Sequence, residues 1–350
     1  MPNDSSWTIS PYNDGTKIKS ILQAIVESSP STAANNRWEY LYPLLDLFYD
    51  NADVFFAVQY RGEQVTCAIP IVLSRQKKFF YRWNEIGFPF HNHINLITLA
   101  PSQNELNISE LITKINSLGL NWERFSIRNI FTKSINNMEY SGDVALFDTS
   151  HNAPIENITS KKHIKNVRRL ERRLLSECGS IDFEFKHPCL TSALSEFSEL
   201  ESSSWKGADG VAISSNKKIE TMYQEFSNNF NDENMKIYHI RTDQCLLASA
   251  LGFKLGGTLY IHKITFNEKY SHAAPGNILL LKILEHALST TDISIVNLVT
   301  YPKWAERWHP QKLVLGNIVH YNRTIKGQVL KYCITLWRKT KPSLKKLFIK

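Results

Sequence analysis

Thr258-Leu-Tyr-Ile-His-Lys-Ile-Thr-Phe266 followed by Ser271-His-Ala-Ala-Pro275-Gly276-Asn277-Ile-Leu-Leu-Leu-Lys-Ile-Leu-Glu-His-Ala-Leu288 is the stretch on which the fold turns. The first run has strand length and is rich in β-branched and aromatic residues. The second opens on Pro-Gly and then places Leu280, Leu281, Ile283, Leu284, Ala287 and Leu288 on a wide apolar helical face. Upstream, Met235–Arg241 and Leu246–Lys254 are two further strand-like runs. Thr242-Asp243-Gln244 and Leu255-Gly256-Gly257 join the three into an antiparallel meander. A helix that starts just past a strand offers backbone N–H groups and the positive end of its dipole, which is where a phosphate would sit.

Working outward, the same pattern occurs once more. Phe56-Ala-Val-Gln-Tyr-Arg61-Gly-Glu63-Gln64-Val-Thr-Cys-Ala68 lies 180 residues before Lys236-Ile-Tyr-His-Ile-Arg241-Thr-Asp243-Gln244-Cys-Leu-Leu-Ala248. Arg61/Arg241, Gln64/Gln244 and Ala68/Ala248 coincide, Glu63/Asp243 keep the charge, and both turns sit at the same place. Two copies of one α+β unit explain this better than chance. The helix after the first meander, Leu106–Leu118, has no Pro-Gly start, so a phosphate ligand is expected in the second copy.

In chain order, residues 1–16 read as a loose lead-in. Helices are expected over Lys17–Ser28 and Trp38–Tyr49, with strands at Val54–Gln59, Gln64–Leu73, Phe79–Trp83, Ile94–Leu99, Trp122–Arg128 and Asp143–Phe147. Ser150–Glu156 reads as a connection. Ser160 caps a helix Lys161–Cys178 with Ile164, Val167, Leu170 and Leu174 on one stripe, and Gly179 closes it. A strand Ile181–Lys186 and helices around Leu190–Leu200 and Lys218–Phe230 follow, with the Trp205-Lys206-Gly207 loop between the helices. Strands at Ser294–Leu298 and Leu313–Tyr321 flank an aromatic-basic turn, Tyr301–Trp308, and a basic tail from Ile325 is helical until Pro342.

The 350 residues suffice for two domains, each with its own core. The first is expected over 1–155 and the second, with the donor site and basic tail, over 156–350. The 43% hydrophobic content is that of a soluble protein, no apolar run has membrane-spanning length, and the N-terminus has no secretory pattern. Five scattered cysteines without a CxxC argue against a disulfide framework or a zinc site, so a cytoplasmic setting and no metal are expected. The net charge of +8 is uneven: Lys161–Arg173 contributes +6 and Arg323–Lys350 contributes +9, leaving −7 elsewhere. Such segments are solvated faces or surfaces for phosphate-rich ligands, nucleic acid or anionic membranes.

The order strand–strand–strand, Pro-Gly-led helix, strand, short helix, strand resembles the GNAT acyltransferase unit. The basic helix Ser160–Leu174, Ser204-Trp205-Lys206-Gly207, Ala248-Ser-Ala-Leu-Gly252-Phe, Ala274-Pro275-Gly276-Asn277 and Tyr301-Pro-Lys303-Trp304-Ala-Glu-Arg-Trp308 resemble its CelD-like branch. That branch is related to the Fem-type aminoacyltransferases. The resemblance implies an α+β fold of two tandem GNAT-like units, each a central, mostly antiparallel sheet flanked by helices. It also implies coenzyme A or acetyl-CoA as co-substrate, and an amine or hydroxyl acceptor such as an amino sugar of envelope polysaccharide. Two departures stand out. The Arg/Gln-x-x-Gly-x-Gly/Ala loop is absent, and Asn297 and Thr300 stand where the branch carries an acidic residue and a glycine.

Acyl transfer requires a held donor, a stabilised oxyanion, a base for the nucleophile and a proton for the thiolate. The donor is expected on Lys263, Thr265, Ala274, Pro275, Gly276, Asn277 and Ile278. Backbone N–H groups along Tyr260–Thr265 would polarise the carbonyl. His262 is expected as base with Glu201 behind it, and Tyr301 as acid; Trp205, Lys206, Lys303 and Trp304 would bind the acceptor. Two readings stay beside this one. The first is aminoacyl transfer from charged tRNA to a peptidoglycan precursor, with tRNA on the basic helix. The second is a non-catalytic protein of the same scaffold that binds tRNA or a membrane surface. The basic tail also leaves open a peripheral contact with the inner face of the membrane.

Overall fold

A computed structural model describes residues 5–12, 15–28, 37–49, 53–78, 81–89, 108–131, 138–150 and 154–348. The expected strand Ile94–Leu99 lies outside these residues. Each half begins with a strand and helices, then a meander. In the first half these are β1 (Ser5–Pro11), α1 (Gly15–Ser28), α2 (Trp38–Phe48), β2 (Val54–Arg61), β3 (Gln64–Lys78) and β4 (Tyr81–Gly87), followed by α3 (Ile108–Ser117), β5 (Arg124–Phe131) and β6 (Glu139–Asp148). A short α4 (Ile155–Ile158) and the basic α5 (Lys161–Cys178) lead into the second half. There β7 (Asp182–Glu184), α6 (Leu190–Ser202), α7 (Trp205–Ala208), α8 (Lys217–Asn229), β8 (Met235–Arg241), β9 (Leu246–Leu255) and β10 (Thr258–Phe266) precede α9 (Pro275–Ser289), β11 (Ile295–Asn297), β12 (Gln311–Tyr321) and α10 (Ile325–Phe348).

Among the described residues, twelve strands join one sheet in the order β1-β2-β3-β4-β5-β12-β6-β11-β10-β9-β8-β7. In each half four strands run antiparallel and the fifth is parallel to the fourth: β4 with β5, and β10 with β11. The centre is an exchange. β6, from the first half, pairs with β11 of the second, while β12 returns to pair with β5 of the first. β6 and β12 then pair with each other along the axis between the halves.

Three expectations change here. Residues 1–16 are not a loose lead-in, because Ser5–Pro11 pairs with β2 and Trp7 is fully buried. Polar neighbours hid it: a single Trp on a short edge strand gives no periodicity. The tail helix runs through Pro342 to Phe348. The duplication stands in the topology, but not every identity at the offset of 180 is equivalent in pairing. Ala68 faces Val58 across a two-residue turn, whereas Ala248 faces Ile240 across a four-residue turn. The second hairpin is two residues longer, so matches beyond the turn fall out of register.

Helices cover the sheet with their apolar faces. In α5, Ser160 caps the helix by accepting the His163 N–H, Ile164, Val167 and Leu174 are buried, and Gly179 ends it at φ 83°. α9 is nearly enclosed, with Ile278 to Leu281, Ile283, Leu284 and Ala287 buried against β8, β9 and β10.

Candidate functional site

β10 and β11 start as a parallel pair and then separate. Their registered positions are Thr258↔Ile295, Leu259↔Val296 and Tyr260↔Asn297, after which β10 continues alone on that side to Phe266. The gap opens into a cavity of about 610 Å³. Ile261–Phe266 of β10 form one wall, Leu298, Thr300, Pro302 and Trp304 after β11 another, Ser204–Lys206 a third, and Ala274, Gly276 and Asn277 the mouth.

His262 sits at a bulge of β10. Ile261 pairs with Gly252 and Lys263 already pairs with Leu251, so His262 has no partner on β9. A bulge re-aims a side chain and frees its backbone. Gly252 makes the close approach possible, since a Cβ there would lie 2.3 Å from the Tyr260 carbonyl oxygen. The imidazole packs edge-on against Phe253 with ring centroids 4.9 Å apart, and its Nε2 is buried without a hydrogen-bond partner. Burial, then the Lys263 charge, push its pKa down to about 3.

Glu201 does not stand behind His262. It is fully buried on α6, where Oε1 accepts from Lys206 Nζ and Lys263 Nζ, both at 3.2 Å, and Oε2 accepts the Ile213 N–H at 2.8 Å. One carboxylate thus organises two ammonium groups at the cavity wall. Lys206 also donates to the Ile264 carbonyl at 2.9 Å, on the free edge of β10. Burial, only partly opposed by Glu201, holds the Lys206 pKa below its ordinary value. α7 positions this lysine. Ser204 caps the helix by accepting the Lys206 N–H, Glu268 accepts the Trp205 N–H at 2.7 Å, and Gly207 is required because a Cβ would lie 1.9 Å from the Ser202 carbonyl oxygen.

Trp205 and Trp304 are both half-exposed at the rim. At the mouth, Ala274 takes a left-handed conformation (φ 51°) and its carbonyl accepts from Asn277 and Ile278. Pro275 has no N–H, so Gly276 carries the first free donor of the helix. The Asn277 side chain accepts from Trp308 Nε1 at 3.2 Å and ties the helix start to the turn after β11. Pro275 and Ile278 are buried beneath the mouth and do not line it. Thr265 lines the wall with its hydroxyl buried and unpartnered.

Tyr301 and Lys303 fall outside the lining. The Tyr301 ring packs against the core below the cavity, with Lys312 Nζ 5.7 Å from its centroid, and Lys303 is exposed on the 3-10 turn Lys303–Trp308. Sequence reasoning missed the device that turns the chain here. Val299 has φ 62°, its N–H donates to Asn297 Oδ1 at 2.7 Å, and the Thr300 N–H reaches back to the Leu298 carbonyl at 2.6 Å. This is a γ-turn with a β-branched residue at its centre, a costly conformation. Ala145 of β6 holds it from both sides through Leu298 and Thr300. Asn297 stood out in the sequence only as a departure; its role is to cap this turn.

Among the described residues the first half shows no such opening. β4 pairs with β5 through its last residues, Glu85 to Gly87, and a Cβ on Gly87 would lie 2.0 Å from the Ser126 carbonyl oxygen. Buried Glu85 spans the pair, accepting from Arg124, Arg128 and Ser126 at 2.9, 2.6 and 2.6 Å. Burial pushes the Glu85 carboxyl up, but Arg124 and Arg128 override it and hold the pKa below its ordinary value.

Residues 161–308 match the family model described as an acetyltransferase (GNAT) domain. None of the curated proteins matches the chain. Among solved structures, FemX aligns over 93% of this chain and 99% of its own at 10% identity and a TM-score of 0.58. A C-terminal domain (DUF2156) assigned to a lysylphosphatidylglycerol synthetase of Agrobacterium fabrum aligns over 92% and 98% at 12% identity and 0.53. A conserved protein from Bacteroides thetaiotaomicron aligns over 89% and 98% at 11% identity and 0.53. At these identities the likeness is one of fold. The family match spans α5 to the turn after β11 and so includes every wall of the cavity.

Proposed function

We propose that the protein transfers an acyl group, most simply acetyl, from a coenzyme A thioester to an amine or hydroxyl acceptor in the cleft between β10 and β11. The observation that carries this reading is the convergence on one cavity of a free strand edge, a bulged histidine and an open helix start. The residues suit such a donor. Ile261, Ile264, Phe266, Leu298 and Pro302 offer an apolar sleeve for its arm, and the Gly276 N–H at the start of α9, with the positive end of the helix dipole, faces the place for phosphate. A Cβ added at Gly276 would meet Phe266 at 3.4 Å and Ile264 at 3.8 Å, both ordinary contacts. Internal packing therefore does not require glycine here, and the missing side chain leaves the mouth open.

In this reading the acceptor attacks the thioester carbonyl, the new C–N or C–O bond forms, the C–S bond breaks, and the thiolate takes a proton. Backbone N–H groups on the free edge of β10 polarise the carbonyl. Lys206 and Lys263 supply positive charge beside it. A neutral imidazole with a pKa of about 3 is a poor base for an ammonium. It can act only as a transient relay after attack, taking the proton from the protonated nitrogen of the tetrahedral adduct, which is more acidic than the free ammonium, and passing it to the leaving thiolate. Trp205 and Trp304 flank the acceptor's entrance, where a sugar or an aromatic ring would stack. An amino sugar of envelope polysaccharide is the acceptor class this favours.

The test is thermal stabilisation by acetyl-CoA, compared with charged and bare tRNA, followed by thiol release with a panel of amines and amino sugars. Stabilisation by the thioester and acceptor-dependent thiol release are expected. A salt-sensitive response to tRNA with none to the thioester would overturn the reading. Gly276→Glu places a like charge at the phosphate position, and we predict a loss of donor affinity of about tenfold or more with little change in Tm.

A further inference from the structure

We propose that α10 is an interfacial helix that lays its outer face on an anionic lipid surface. The helix has two apolar stripes. Its inner stripe, Gly327, Leu330, Ile334 and Trp337, is buried or half-buried, with Leu330 1% exposed, and the helix rests on β12. Gly327 allows the close approach, because a Cβ would lie 2.3 Å from the Asn322 carbonyl oxygen. Tyr81 holds the same turn by donating to the Lys326 carbonyl at 3.3 Å.

The outer stripe is Ile325, Val329, Tyr332 and Leu336, which are 85%, 45%, 66% and 44% exposed. Steps of four, three and four residues at about 100° each keep these four side chains within an arc of about 60°, opposite the docked stripe. A helix with one face already packed has no structural need of a second apolar face. A contiguous exposed stripe marks a contact surface.

Charge selects the occupant. Exposed Lys326 and Lys331 flank the stripe, and Arg323–Lys350 contains nine Lys/Arg and no acid. A second copy of α10 would bring the same charge to the contact and be repelled. Anionic headgroups complement it, at about 1 kcal/mol per Lys or Arg near the surface. Among the described residues no helix is long and apolar enough to cross a membrane, so α10 lies on the surface instead of spanning it. This inference is independent of the chemistry in the cleft.

The experiment is flotation of the full chain with vesicles of phosphatidylcholine alone or mixed with phosphatidylglycerol. Binding to the mixed vesicles only, weakened by 0.5 M salt (roughly a 4 Å Debye length), is expected. The triple variant Val329→Ser, Tyr332→Ser, Leu336→Ser should lose about tenfold or more in partitioning with its Tm unchanged. The pair Lys326→Glu, Lys331→Glu should lose at least as much. Absence of binding, equal binding to neutral vesicles, or unchanged binding of the triple variant would overturn the proposal. So would lipid-free self-association that the triple variant abolishes, because the stripe would then be a contact between copies.

Discussion

His262 occupies the bulge of β10 with a buried, unpartnered Nε2, and its titration is a measurable property of the fold. The unfolded chain takes up this proton near the ordinary histidine value of about 6.5, and the folded one only at about 3. Between those values the unfolded state binds more protons. The stability contribution is therefore full above about pH 6.5 and is lost as pH falls toward 3, at on the order of 1.4 kcal/mol per pH unit. We predict that His262→Gln flattens the dependence of unfolding free energy on pH between 5 and 7, measured by urea titration. An unchanged slope would place the imidazole in contact with water. Glu201 invites a second test. Glu201→Ala leaves Lys206, Lys263 and the Ile213 N–H without their shared acceptor, and we predict a loss of about 3 kcal/mol. A loss under 1 kcal/mol would show that the two ammonium groups are already well solvated.

At the scale of elements, legibility followed the number of residues that carry a signal. α5 and α9 were readable because each repeats an apolar stripe over several turns and has a cap or a Pro-Gly start. β8, β9 and β10 were readable because their runs are long and their turns contain Gly or Asp. β1 was not, since seven residues with only Trp7 and Ile9 as large apolar side chains look like a tail. Its burial makes a prediction: Trp7→Ala should cost about 3–5 kcal/mol, seen as a lowered denaturation midpoint. A near-neutral result would mean that β1 detaches without consequence. The γ-turn at Val299 was equally hidden, because its strain is borne by Ala145, some 150 residues away in the chain.

For the whole molecule, the exchange of β6 and β12 matters most. Each half donates a central strand to the other, so the halves share one continuous sheet. We predict a single calorimetric unfolding transition, and aggregation of a fragment spanning 156–350 expressed alone, since its β11 would present an open edge. Two resolved transitions, or a soluble folded fragment, would contradict this. Among the described residues the same symmetry shows why the second half opens between these strands. β10 pairs with β11 at its beginning and leaves six residues free, while β4 pairs with β5 at its end and is clamped by Glu85.

The sequence by itself determined most of the helices and strands, β1 and the end of α10 excepted, that the pattern occurs twice, and that the Pro-Gly helix start belongs to the second copy. These are local properties, written in periodicity, caps and turn residues. It also brought His262, Trp205, Lys206, Trp304 and Gly276 to attention as residues suited to one reaction, and all five line one cavity. Only the tertiary structure decided which groups touch. It assigned Glu201 to two lysines instead of a histidine, set Tyr301 and Lys303 outside the cavity lining, and left the outer face of α10 without a covering element among the described residues. Burial, pairing and pKa depend on neighbours distant in the chain, and no local pattern encodes them.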